Sequence, residues 1–215
     1  MKVNGRAPNG MAYRHDIFVS YWRDPQALVW ISRFLNPMLS SRVAMALGRR
    51  IDIYVHEVTD QIPVGVAWPV DLGETIAHSR ILIAIWSRGY LSSEWCRQEL
   101  SIMLDRESKT GARTIRNKYG LIIPIVVQDG ETIPKKLSAQ RLEAKDYYNE
   151  HMVPNGDKAE KFGDLLTKHA EGIAAAIERA PKWQRGWPQK AARKLLNAYS
   201  RQQPSQRIPP RFNPR

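Results

Sequence analysis

Two uninterrupted apolar runs, Ile81-Leu82-Ile83-Ala84-Ile85-Trp86 and Leu121-Ile122-Ile123-Pro124-Ile125-Val126-Val127, narrow the choice of fold most. Neither alternates polar with apolar residues, so neither offers a face to water. A strand of that kind is covered on both sides, as in a parallel sheet flanked by helices. Asp16-Ile17-Phe18-Val19-Ser20-Tyr21 is a third β-branched and aromatic run, and Ile51 to Val55 a fourth. A short strand near Leu142 to Tyr147 completes the set.

Helical patterns lie between these runs. Asp24 is placed to cap a helix with Pro25 at its first position, and Leu28, Ile31, Leu35 and Leu39 recur at helical spacing. Pro37 is expected to break or kink this helix, with a second piece over Ser41 to Leu47 stopped by Gly48. A short helix is expected over Asp71 to Ser79, another from a Ser92 cap to about Glu107, and a last one over Lys158 to Ala180. Ser108 to Lys118 reads as an exposed polar loop. The expected class is α/β: a flavodoxin-like central parallel sheet of about five strands with helices on both faces. Ligands of such folds gather beyond the carboxyl ends of the strands, which directs attention to the loops after Tyr21, Val55 and Trp86.

The 215 residues suit one domain with extensions: a flexible lead over 1–13, the domain over 14–181 and a basic, proline-rich tail over 182–215. The formal charge of +12 is concentrated in that tail, which has nine Lys or Arg and no acid and leaves the rest at +3. Such a segment suits an acidic partner or a nucleic acid, but no nucleic-acid reading module is present, so that is the weakest of the partner readings. A lone cysteine, Cys96, excludes an internal disulfide and a cysteine-cluster zinc site, and its place beside Leu100 and Met103 suits core packing. With no apolar run of transmembrane length and no secretory signal pattern, the expectation is a cytoplasmic protein without membrane contact. No G-x-G-x-x-G, P-loop or H-E-x-x-H pattern appears, which disfavours dehydrogenase, kinase, ATPase and metalloprotease readings.

Three segments, in order, resemble a Toll/interleukin receptor (TIR) domain of the bacterial NAD-cleaving type. His15-Asp16-Ile17-Phe18-Val19-Ser20-Tyr21 looks like the family's opening strand. Asp60-Gln61-Ile62-Pro63-Val64-Gly65, with Ile76-Ala77-His78-Ser79-Arg80 behind it, is similar to the mobile loop and its following helix. Ser87-Arg88-Gly89-Tyr90-Leu91-Ser92-Ser93-Glu94-Trp95-Cys96-Arg97-Gln98-Glu99-Leu100 carries the most specific pattern. The resemblance implies one of two roles: an NAD+ nucleosidase (hydrolase or ADP-ribosyl cyclase), in bacteria serving antiphage defence, or a non-enzymatic scaffold that self-associates and recruits partners. Enzymatic relatives carry a glutamate four residues after the tryptophan of the third segment, here Glu99.

The chemistry is compatible with one carboxylate. Glycoside hydrolysis ordinarily takes two, one of which protonates the leaving group. Nicotinamide in NAD+ is already a cationic pyridinium and departs neutral, so no general acid is needed. A single carboxylate can hold the ribose hydroxyls and stabilise the oxocarbenium-like transition state. On its helix Glu99 has Trp95, Cys96, Ile102 and Met103 as neighbours and no base at i±3 or i±4. Such flanks desolvate a carboxyl and raise its pKa; a boundary glutamate reaching solvent is the plainer alternative.

The resemblance further implies that Tyr21, Trp22, Arg23, His56, Gly65 and Trp95 line the nucleotide site. Trp95 is either a pocket wall or a core anchor, Arg23 a phosphate contact or a solvated arginine, and Gly65 first of all a backbone requirement of the mobile loop. His56 stands where enzymatic relatives often have an aspartate, unless Glu57 is the counterpart; otherwise His56 is a surface or capping residue. NAD+ enters as substrate, with no resident cofactor or metal. The implied partners are a second copy engaged through the 58–70 loop and a downstream effector protein.

Overall fold

The computed structural model describes residues 13–56, 73, 75–115 and 117–184. Five strands, β1 (His15–Tyr21), β2 (Ile53–Val55), β3 (Ser79–Trp86), β4 (Ile122–Val126) and β5 (Leu142–Glu143), form one sheet in the order β2-β1-β3-β4-β5. Every pairing is parallel, with Ile17 opposite Ile53 on one side and Ile81 on the other. This is the flavodoxin-like order. The chain leaves β1 toward β2, then returns past β1 to β3. Right-handed crossovers in opposite directions put the connecting helices on opposite faces. That is why the runs at 81–86 and 122–126 have no face for water: every residue of β4, and all of β3 but Arg80, is buried.

The first connection is α1 (Pro25–Trp30), a wide turn (Ile31–Leu35) and α2 (Asn36–Leu47). The Asp24 carboxylate caps α1 by accepting from the Ala27 N–H at 2.8 Å. Pro37 does not break the path. The preceding turn widens so that the Asn36 N–H donates to the carbonyl of Ile31, five residues back, which accommodates a residue with no N–H of its own. Gly48, at φ 64°, closes α2.

The helix after β3, α3 (Glu94–Thr110), is capped by Ser93, whose hydroxyl accepts from the Cys96 N–H, one residue later than expected. It outruns its expected end and stops at Gly111. The stretch after it is only in part the solvated loop expected from its polarity: Thr114, Ile115 and Lys118 are exposed, but Arg113 turns inward. The Arg113 guanidinium is buried against the fully buried Glu107 carboxylate at 2.9 Å. Glu107 also accepts from the N–H groups of Leu121 and Ile122, and Arg113 donates to Gln140 and to the Ile122 carbonyl. A Cβ on Gly120 would meet Arg113 Cζ at 2.3 Å, so any side chain there has to displace the guanidinium from its buried partner. After a short α4 (Lys135–Ser138) and β5, the segment expected as strand to Tyr147 turns into a 3-10 turn at Lys145–Tyr147. The last helix, α5 (Asp157–Glu178), packs on α2 and buries Phe162, Leu166, Ile173 and Ile177.

Polar side chains tie the amino ends of the strands. Asp16 binds Arg49 and Arg80 and accepts from the Asp52 N–H. Arg106 holds the entry to β3 by donating to the carbonyls of Ile76, Ala77 and Ser79, and burial lowers its pKa to about 9. Tyr13, last residue of the expected lead, donates to the Pro181 carbonyl at 2.6 Å, and Trp183 stacks on His78 at 5.0 Å. Tyr13 and residues 181–183 therefore meet at this same end. No helix among the described residues is long and apolar enough to cross a membrane.

Candidate functional site

The sheet reverses its winding at β1, so the crevice beyond the carboxyl ends of β1 and β3 is where this architecture receives ligands. Ser20 and Tyr21 end β1, and Trp22 and Arg23 follow at the rim. Across from them the chain leaves β3 in a tight turn in which the Tyr90 N–H donates to the Ser87 carbonyl and the Ser93 N–H to that of Gly89. The turn folds Tyr90 back onto Trp86, ring centroids 5.0 Å apart, and buries it completely. It also delivers α3 so that Glu99 faces inward near Ser20.

Glu99 is only 6% exposed. Burial pushes its carboxyl up to about 7, against the hydrogen-bonding Ser20 hydroxyl and the positive field of Arg23, which both pull it down. It is therefore not a boundary residue reaching for solvent. Cys96, one turn earlier, is pushed up to about 12 by burial and then by the charge of Glu99, which makes it an inert core thiol.

The other expected residues divide. Arg23 is exposed and acts electrostatically on both Glu99 and Cys96. Trp22, 43% exposed, lies over Gly89, where a Cβ would meet its ring at 2.2 Å. Trp95 is half-buried against the core, short of a full anchor. Tyr21 is buried and its hydroxyl is spent on the backbone carbonyl of His56 at 2.6 Å. His56 is buried too, contrary to a surface reading, with its ring 3.2 Å from the Tyr54 hydroxyl. Gly65, Glu57 and the 58–70 loop lie outside the described residues. Two members of the site carried no expected role: Ser20 and Tyr90, whose hydroxyls are 2.7 Å apart. Ser20 was legible as a hydroxyl following the apolar run Ile17-Phe18-Val19. Among the described residues no cluster of His, Cys, Asp and Glu suits a metal ion. A cavity of about 200 Å³, lined by Ile123, Leu142, His169, Ile173 and others, includes none of the groups around Glu99.

A family model for the TIR domain matches residues 17–166, from β1 into α5. The chain belongs to the TIR domain family. Among solved structures, this TIR domain is similar to the one described as the structure of the activated Roq1 resistosome directly recognizing the pathogen effector XopQ (TIR domains). That likeness has 16% identity and a TM-score of 0.38 over 86% of this chain and 98% of the other. At that score it adds nothing to the assignment, which rests on the family match. The match spans the TIR domain's β1 end, the Ser87–Ser93 turn and Glu99, the three pieces that meet at the crevice.

Proposed function

We propose that this TIR domain is an NAD+ nucleosidase in which the Glu99 carboxylate acts at the nicotinamide ribose. The observation that carries this reading is a carboxyl buried at the switch-point crevice and held near neutral pH, with Arg23 at the rim. Burying an ionised carboxylate costs free energy, and Glu99, unlike the buried Glu107 with its Arg113 partner, has no ion pair among the described residues to offset it. In the reaction the carboxylate would hold the ribose hydroxyls and stabilise the positive charge that develops as nicotinamide leaves. Arg23 suits a phosphate of the dinucleotide, and Trp22 an aromatic contact. Water as acceptor gives ADP-ribose, and a group of NAD+ itself gives a cyclic product. A bacterial antiphage role and a second copy engaged through the 58–70 loop belong to the same proposal.

The test is NAD+ turnover by the wild type and by Glu99→Ala at high protein concentration, with products separated by chromatography. Consumption by the wild type and none by the variant is expected, with a rate per molecule that climbs with concentration. No consumption at any concentration would sink the proposal. A non-enzymatic scaffold is then the reading to adopt, and one observation favours it: Tyr21, expected to line the nucleotide site, is buried with its hydroxyl donated to the His56 carbonyl.

A further inference from the structure

Gly89 stands in the tight turn that leaves β3, and its backbone does not call for a glycine. Among the described residues the glycines with a positive φ are Gly48 and Gly111, so the φ at position 89 is open to any residue. What forbids a side chain there is Trp22. A Cβ on Gly89 would lie 2.2 Å from Trp22 Cδ2, and 2.5 and 2.6 Å from Cε3 and Cε2, the two ring atoms bonded to it. Near-equal distances to three bonded atoms put that Cβ over the flat of the indole, not at its edge. The bare Cα of Gly89 is therefore a seat on which the ring lies.

The seat decides what the other side of the ring can do. Trp22 follows the last residue of β1, and Gly89 lies just beyond the end of β3, so the indole spans the carboxyl ends of two paired strands at the crevice. It is 43% exposed, which is high for a tryptophan. A ring pressed to backbone on one flat side, with that much of its surface in water, has its second flat side open. The turn beneath it is held by its own hydrogen bonds, the Tyr90 N–H on the Ser87 carbonyl and the Ser93 N–H on the Gly89 carbonyl, each 3.1 Å. An indole held flat in this way can take a planar heteroaromatic ring in parallel stacking. Arg23, next in the chain and exposed, suits a phosphate joined to that ring.

We propose that Gly89 is a positioning residue: by carrying no side chain it seats the Trp22 indole flat at the crevice rim, as a one-sided platform for the planar base of a nucleotide. The proposal rests on the nucleotide reading of the crevice and adds the physical reason for glycine at this position. A methyl on Gly89 would lift or tilt the platform without removing any group from it.

The experiment is fluorine NMR of protein grown with 5-fluorotryptophan, the Trp22 signal being assigned from its loss in Trp22→Phe. AMP and nicotinamide mononucleotide are the probes, since each joins one base of NAD+ to a phosphate, and ribose 5-phosphate is the control without a base. The Trp22 signal should shift with at least one nucleotide and not with the control. By calorimetry, Gly89→Ala should weaken that nucleotide about tenfold, the size of one lost stacking contact, and Trp22→Ala should weaken it as much. Adding Gly89→Ala to Trp22→Ala should cost nothing more, because the methyl then has no ring to displace. This double variant keeps the test available if Gly89→Ala alone does not fold. A Trp22 signal that moves with neither nucleotide overturns the proposal. So does wild-type affinity in Gly89→Ala, or a further loss in the double variant. In NAD+ turnover, KM should rise in Gly89→Ala while kcat holds, and a fall in kcat at unchanged KM counts against the platform. A nucleotide-responsive Trp22 in a protein that turns over no NAD+ would remove the nucleosidase reading and leave the platform standing.

Discussion

Tyr21 donates its phenolic hydrogen to the backbone carbonyl of His56 at 2.6 Å, and so pins the carboxyl end of β1 to that of β2. The bond spans the point where the chain enters residues 57–72. A residue expected to face the nucleotide is thus a strut of the crevice wall.

Removing that strut has a defined consequence. Tyr21→Phe keeps the ring and leaves a buried carbonyl without its donor, which should cost about 1–3 kcal/mol. Urea denaturation measures the loss. The KM for NAD+ should stay within about twofold; a large rise with unchanged stability would return Tyr21 to the binding surface.

The Glu107–Arg113 pair should matter more to stability than any other ion pair among the described residues. Both partners are buried, and the carboxylate also holds two backbone N–H groups of the β4 entry. Glu107→Ala leaves a buried guanidinium uncompensated and should cost about 3–5 kcal/mol. Gly120→Ala should also be harmful, because the new methyl meets the Arg113 guanidinium and pushes it off Glu107. Thermal melts of the two variants within a degree or two of wild type would contradict the buried geometry.

Glu99 should make the protein less stable as pH rises. Its folded pKa of about 7 lies above the ordinary 4.5, so the folded state binds more protons between those values. Stability is then lost progressively from pH 4.5 upward, and the full penalty is present above about 7. At about 1.4 kcal/mol per pH unit the penalty is roughly 3 kcal/mol. Glu99→Gln should therefore be more stable than wild type at pH 8 and no more stable at pH 4.5. Activity should run the other way, rising with pH through about 7 as the carboxylate forms. Equal pH dependence of stability in the two proteins would show that Glu99 is solvated.

Asp16 carries the opposite sign. Burial raises its pKa, but the Arg49 hydrogen bonds, the Asp52 N–H and the Arg80 charge outweigh burial and hold the carboxyl below the ordinary 3.8. Its contribution is present above 3.8 and disappears as pH falls through the folded value. Asp16→Asn should lower Tm at neutral pH, and the gap from wild type should close in strong acid. A gap that persists there would mean the loss is one of packing.

Much of this was legible beforehand where local chemistry decides. The Asp24 cap, the stop at Gly48 and the doubly covered strands at 81–86 and 122–126 each follow from a few neighbouring residues. Glu99 was legible as a desolvated acid because its helical neighbours are apolar and none is basic. Pro37 was misjudged because a widened turn upstream absorbs it, and turn geometry of that kind leaves no mark in residue periodicity. Arg113 was misjudged because its charge suggests solvent, while its partner Glu107 is brought to it by the end of α3. His56 looked superficial because the groups that hold it, the Tyr21 hydroxyl on its carbonyl and the Tyr54 hydroxyl beside its ring, come from two neighbouring strands.

The sequence by itself determined the class of fold, the order of elements and the identity of one acid with unusual neighbours, since each depends on spacing along the chain. Tertiary structure decided which polar groups meet. Ser20 and Tyr90 are seventy positions apart and become partners only because β1 and β3 pair and the turn after Trp86 folds inward. A hydroxyl's role depends on what lies within about 3 Å of it in a dry interior, and such proximity arises only when the sheet closes.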